Sequence, residues 1–123
     1  MSINLTGKPD YLYKCSVVRV IDGDTLDVSI DVGFQTHIFK RLRLLEVDTY
    51  ELRDKLEENR KKAQDAKVYV TALCNDCKQV WIKTEMDATG KYGRVLADVY
   101  IEGYGGDVIH LNADLVTKGF HEA

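Results

Sequence analysis

Apolar and polar residues alternate along the first third of the chain. Counting by twos puts Val18, Val20, Leu26, Val28, Ile30 and Val32 on one face, with Asp27, Ser29 and Asp31 on the other. This predicts a strand over Tyr11–Ile21 and a second over Asp24–Val32. They meet at Asp22-Gly23, because Asp-Gly between two apolar runs is a strong hairpin signal. Gly33-Phe34-Gln35-Thr36 reads as the next turn. His37–Val47 reads as a third strand with apolar residues on both parities, hence with both faces covered. The period then changes. Ala63, Ala66, Val70, Leu73 and Cys77 recur at three and four, which predicts an amphipathic helix from Glu58 to Cys74. Gln79–Glu85 and Arg94–Ile101 read as strands four and five, on either side of a turn at Asp87-Ala88-Thr89-Gly90. Gly103 to Gly106 forms another turn. Asn112–Lys118 reads as a short helix that Asn112 caps and Gly119 stops. Residues 1–10 read as a weakly docked lead-in.

Five short strands are too few for a sandwich. Their order with the helices predicts a mainly β, α+β fold: a five-stranded OB-fold barrel with a helix between strands three and four and a short C-terminal helix. The 123 residues are expected to form a single domain, 1–123.

Composition adds boundaries rather than chemistry. Apolar residues make up 45% and charged residues 30%, as in a globular protein. No apolar run approaches the roughly 20 residues of a membrane span, so no membrane partner is expected. The N-terminus MSINLTGKPD has no apolar signal region, which predicts an intracellular protein, with a secreted mature form as the other reading. A monomer is the default expectation. Net charge is −3, so any hold on nucleic acid must come from local arginines and a metal, not from bulk attraction. Cys15, Cys74 and Cys77 are an odd count, which argues against a disulfide framework. The single Cys74-x-x-Cys77 pair lacks the second pair of a zinc site, and free structural thiols are expected.

Charge at the strand ends is what singles out candidate chemistry. In Val20-Ile21-Asp22-Gly23-Asp24-Thr25, Asp24 shares the parity of the apolar face, and a buried carboxylate needs a partner, most simply a cation. Arg41-Leu42-Arg43-Leu44-Leu45-Glu46-Val47-Asp48-Thr49-Tyr50-Glu51 carries two arginines within a strand and ends it with Asp48, Thr49 and Glu51. Gly90-Lys91-Tyr92-Gly93-Arg94 delivers a lysine, a tyrosine and an arginine from one turn. Taken singly, each is an ordinary turn or cap. Together, hard oxygen ligands and two guanidiniums are what a phosphodiester-cleaving site needs. An EF-hand is excluded, because Asp22-Gly23-Asp24 lacks its ligand register and its closing Glu.

The sequence resembles the staphylococcal-nuclease-like (thermonuclease) family. Ile21-Asp22-Gly23-Asp24-Thr25 is similar to its I-D-G-D-T, and Arg43 to Glu51 to its R-L-x-x-V-D-T-P-E. Lys91-Tyr92-Gly93-Arg94 is similar to its K-Y-G-R, and Leu111 to Gly119 to its N-x-x-L-V-x-x-G helix. The likeness runs from about Cys15 to Gly119, with the motifs in order. It implies an OB-fold barrel, a Ca2+ ion and hydrolysis of DNA and/or RNA. By that resemblance Asp24 and Asp48 would ligate calcium by carboxylate and Thr49 by its backbone carbonyl. Glu51 would hold or deprotonate the attacking water. Arg43 and Arg94 would grip the scissile phosphate, and Lys91 and Tyr92 would contact the nucleotide. Asp22 is assigned to turn geometry or to support around the metal. Tyr50 stands where the family often has proline, which is expected to loosen the turn that aims Glu51. A nucleic-acid or protein-binding module on the same barrel, without catalysis, is the alternative reading. The joint presence of Asp24, Arg43, Asp48, Glu51 and Arg94 distinguishes the nuclease from it.

Overall fold

A computed structural model describes residues 11–89 and 94–122. The expected lead-in over 1–10, the end of the Asp87–Gly90 turn, and both Lys91 and Tyr92 lie outside the described residues. The elements run β1 (Leu12–Asp22), β2 (Thr25–Asp31), β3 (His37–Leu44), α1 (Glu57–Asn75), β4 (Gln79–Thr89), β5 (Val95–Glu102), β6 (Val108–His110) and α2 (Leu111–Thr117). The sheet order is β3-β2-β1-β4-β5-β6. A parallel pairing of β3 with β5, Leu42 with Val95 through Leu44 with Ala97, closes the first five strands into a barrel. This is the OB-like α+β architecture that the order of elements predicts. The sixth strand, β6, was not expected; it pairs with the end of β5 just before α2.

The barrel interior is filled by Leu26, Val28, Leu42, Leu44, Ile82 and Val99, all essentially inaccessible. Val70 from α1 and Leu111 and Leu115 from α2 belong to the same core. The three-and-four stripe of α1 behaves as predicted, with Ala63, Ala66 and Val70 buried. Two of these are alanines, and small residues let the helix come close to the β1–β2 turn.

Several local expectations are corrected by the pairing. Val18 is exposed, because the β1–β2 register shifts between Val17 and Arg19 and turns Val17 toward the core instead. The last β1–β2 pair is Asp22 with Thr25, so the loop residues are Gly23 and Asp24 rather than Asp22 and Gly23. β3 ends at Leu44, three residues earlier than expected, and Glu46 beyond it takes a left-handed φ of 59°. The first half of β3 is not covered on both faces. His37 through Arg41 are exposed, because among the described residues this half pairs only with β2 and β5 joins only at Leu42. β4 runs through Asp87, Ala88 and Thr89, where a turn was expected.

At the C-terminal helix, Asn112 is not the cap. His110 holds that position, and Asn112 sits inside the first turn, buried. Its Oδ1 accepts the Val99 N–H at 2.9 Å, and its Nδ2 donates to the carbonyls of Leu45 (3.0 Å) and Ala97 (3.2 Å). One amide side chain thus ties α2 to β5 and to the segment after β3. Gly119 does stop the helix. Its φ is +81°, its N–H donates to the Val116 carbonyl and the Phe120 N–H to that of Leu115. These two bonds are the Schellman arrangement, which turns the chain back toward the barrel.

Candidate active site

Gly23 has an ordinary φ, so the β1–β2 turn does not need glycine for its backbone conformation. It needs it for space. A Cβ built there would lie 2.8 Å from the Ala66 Cβ and 2.9 Å from the Thr49 Cγ2. The turn is therefore wedged between α1 and the segment after β3, and Asp24 is folded beneath Thr49. Asp24 is only 8% exposed. Its Oδ1 accepts the Thr25 hydroxyl at 2.9 Å and its Oδ2 accepts the Thr49 N–H at 3.1 Å. Its burial matches the parity expectation, but it comes from this close approach and not from a strand position.

Arg43 supplies the cation that the buried carboxylate needs. It comes from the end of β3, opposite Thr25. Its Nη1 lies 3.1 Å from the Asp24 Oδ2, and its Nη2 pairs with the Asp48 carboxylate. The same Nη1 donates to the Val47 carbonyl. The guanidinium is mostly buried, whereas the Asp48 side chain is 71% exposed. Arg43 is thus fixed in place, with one carboxylate inside and one at the surface.

A cleft of about 470 Å³ opens on this pair. Asp24, Arg43, Asp48, Thr49 and Glu51 all line it, so the structure brings five of the predicted site residues together. Arg94 is not part of that lining; it directly precedes Val95, whose partner is Leu42, one residue from Arg43 on the adjoining strand. Tyr50 also lines the cleft, and the Lys62 ammonium lies 5.1 Å from the centre of its ring.

Two further carboxylates face the cleft. Asp22 does so from the end of β1. Burial, then the neighbouring Asp24, hold its carboxyl above the ordinary range; Glu51 adds to this, against the pull of Lys67 and Arg43. Glu122 was not anticipated. The chain turned back by Gly119 pairs His121 with Thr49 in an antiparallel bridge. The Glu122 N–H donates to the Asp48 carbonyl at 2.6 Å, and His121 Nδ1 accepts the Asp48 N–H at 3.0 Å. The only sequence signal for this was Gly119 as a helix stop, which says where the helix ends and not where the chain goes next.

The donor atoms are carboxylate oxygens with the Thr49 backbone beside them, a set suited in kind to a hard divalent cation. Among the described residues no three such side chains converge on one point, since Arg43 stands between Asp24 and Asp48. The cleft therefore joins a fixed guanidinium to an acidic rim.

A family model described as staphylococcal nuclease homologue matches residues 41–123, more than half of the chain. The chain belongs to the staphylococcal nuclease homologue family. No individual curated protein matches it. The family match opens at Arg41 and takes in Arg43, Asp48, Thr49, Glu51 and Arg94. Asp22 and Asp24 precede it, and they reach the same cleft through the pairing of β1, β2 and β3. The family is associated with nucleases, and the barrel and its cleft are in keeping with a fold that engages nucleic acid.

Proposed function

We propose that this chain is a calcium-dependent endonuclease that hydrolyses phosphodiester bonds in DNA and/or RNA. The observation that carries the reading is the Arg43 guanidinium, largely buried yet facing an open cleft that Glu51 shares. Displacement at phosphorus gathers negative charge on the phosphoryl oxygens. A guanidinium fixed before the reaction stabilises that charge without reorganising, and its planar fork can meet two oxygens at once. Arg94 is the second phosphate ligand in this reading, and Lys91 and Tyr92 contact the nucleotide. Glu51 is the carboxylate that orients or deprotonates the attacking water.

Asp24, Asp48 and the Thr49 carbonyl would hold Ca2+. Bound there, the ion would polarise a phosphoryl oxygen and make its water more acidic. The residues of the chain prepare for this in an uneven way. Asp24 is fixed by three partners, while Asp48 is exposed and its side chain is bonded, among the described residues, through Arg43 alone. Asp48 is the ligand that can move, and its release would free part of the Arg43 fork for phosphate.

The test is incubation with single-stranded DNA and with RNA in calcium, in magnesium and in chelator. Cleavage in calcium that a chelator abolishes supports the reading. Equal rates in magnesium, which demands tighter octahedral geometry, or undiminished cleavage in chelator, would reject the calcium role. No cleavage of either polymer in calcium would reject the nuclease.

A further inference from the structure

We propose that the outer face of β1, β2 and β3 is a track for single-stranded nucleic acid leaving the cleft, with Arg41 and Arg19 for its phosphates and Phe39 as a stacking platform for a base. The choice of nucleic acid as occupant rests on the nuclease reading; the track itself rests on the rows of side chains across this face.

Side chains two apart on a strand share a face, so Arg43, Arg41 and Phe39 project to the same side of β3. Cross-strand pairing extends each into a row. Arg41 stands opposite Asp27, and Asp27 opposite Arg19. Phe39 stands opposite Ser29, and Ser29 opposite Ser16. The first row beyond the cleft is therefore two guanidiniums about one carboxylate. Arg41 is held on that carboxylate by two bonds, Nε at 2.8 Å and Nη2 at 3.1 Å. Its remaining N–H groups keep their capacity to donate, and the row carries net positive charge where a phosphate would pass.

The second row is an aromatic ring beside two serines, and Phe39 is 73% exposed. Small hydroxyl neighbours leave its face open. An exposed ring beside arginines is the arrangement by which proteins hold single strands without reading sequence. Four residues of strand separate Phe39 from Arg43, roughly 14 Å. At about 3.4 Å per stacked nucleotide the ring lies within about four nucleotides of the scissile phosphate. Beyond it the face changes character: His37 stands opposite Asp31, whose carboxylate accepts the Gly33 N–H. The track ends at Phe39. A protein partner would be drawn instead to the apolar hairpin tip, where Val32, Phe34 and Ile38 are exposed. Continuity with Arg43 along one strand face favours the nucleic acid.

The test compares a phosphorothioate thymidine dinucleotide with the octanucleotide, both end-labelled, by fluorescence anisotropy in calcium, with a gel to show that they stay intact. In the unaltered chain the longer strand should bind about tenfold more tightly, since stacking contributes about 1–3 kcal/mol per base. Phe39→Ala and Phe39→Leu should both lose the stacking share of that gain, Phe39→Tyr should keep it, and dinucleotide binding should stay the same in all. Thermal melts should be unchanged, because the ring is exposed. Equal octanucleotide affinity in Phe39→Ala and the unaltered chain would overturn the track. A Phe39-dependent gain in a protein that cleaves no DNA or RNA would uphold the track and reject the nuclease. Cleavage together with an octanucleotide gain that is indifferent to Phe39 would do the reverse, and binding of neither length would reject both.

Discussion

Arg43 Nη1 sits 3.1 Å from the Asp24 Oδ2, with both side chains more than four-fifths buried. The pair links the end of β3 to the β1–β2 turn, and it places a fixed positive charge at the wall of the cleft. Removing one partner leaves the other as an uncompensated buried charge. Arg43→Ala should therefore lower unfolding free energy by about 3 kcal/mol or more, as for other broken buried pairs. Arg43→Ala combined with Asp24→Asn should recover part of the loss. Urea denaturation of the single and double variants measures both, and a single variant as stable as the parent would show that Asp24 finds another partner.

Glu51→Gln should depress kcat strongly and change KM little. The proposed work of Glu51 concerns the water, whose activation matters in the transition state. Steady-state kinetics on one oligonucleotide decides it. A raised KM with unchanged kcat would make Glu51 a substrate contact instead.

Gly23→Ala should destabilise by about 1–3 kcal/mol, the usual cost of overpacking. The new methyl would meet Ala66 and Thr49 closer than 3 Å, so either α1 or the Thr49 segment must give way. Because Asp24 binds the Thr49 N–H, activity should fall as well as stability. Circular-dichroism melts and cleavage rates on the same preparation test this. Unaltered values in both would mean that the turn has room the geometry denies.

Asn112→Ala should cost about 2–4 kcal/mol, because it strips partners from buried backbone groups of β5 and from the carbonyl of Leu45. Asn112→Asp should do no better, since a carboxylate keeps the acceptor for Val99 and loses both donations. Chemical denaturation of the two variants gives the comparison. Near-native stability of Asn112→Asp would assign the weight to the Val99 bond alone.

Cys15 and Cys74 bear on alkaline stability. Burial pushes both thiols up to about 12, from 9.0, and all three cysteines are free. The folded state holds these protons more tightly than the unfolded one. Their contribution is fully present below the unfolded value of 9.0 and is lost as pH rises toward about 12. Stability should therefore fall across that window. Near neutrality, Cys15 and Cys74 should react slowly with a disulfide reagent until the chain is unfolded in urea. Prompt labelling of Cys15 in the native protein, followed by mass spectrometry, would contradict its burial.

By itself the sequence determined the order of the elements apart from β6, and the residues that would be near one another at strand ends. Period-two alternation in β2, the three-and-four stripe of α1 and the glycine stop after α2 are local signals, set by backbone geometry within a few residues. The same local patterns singled out Asp24, Arg43, Asp48, Thr49 and Glu51. Tertiary structure decided what those residues touch. Asp24 is buried because α1 and Thr49 close over a turn that only glycine can fill. Glu122 reaches the cleft because the chain after Gly119 pairs back onto Asp48 and Thr49. Asn112 binds three distant backbone groups rather than its own helix, and Val18 and the first half of β3 face solvent because of register and an absent second neighbour among the described residues. These outcomes depend on contacts between segments far apart in the chain. No local period encodes them, because their energy exists only once the barrel has closed.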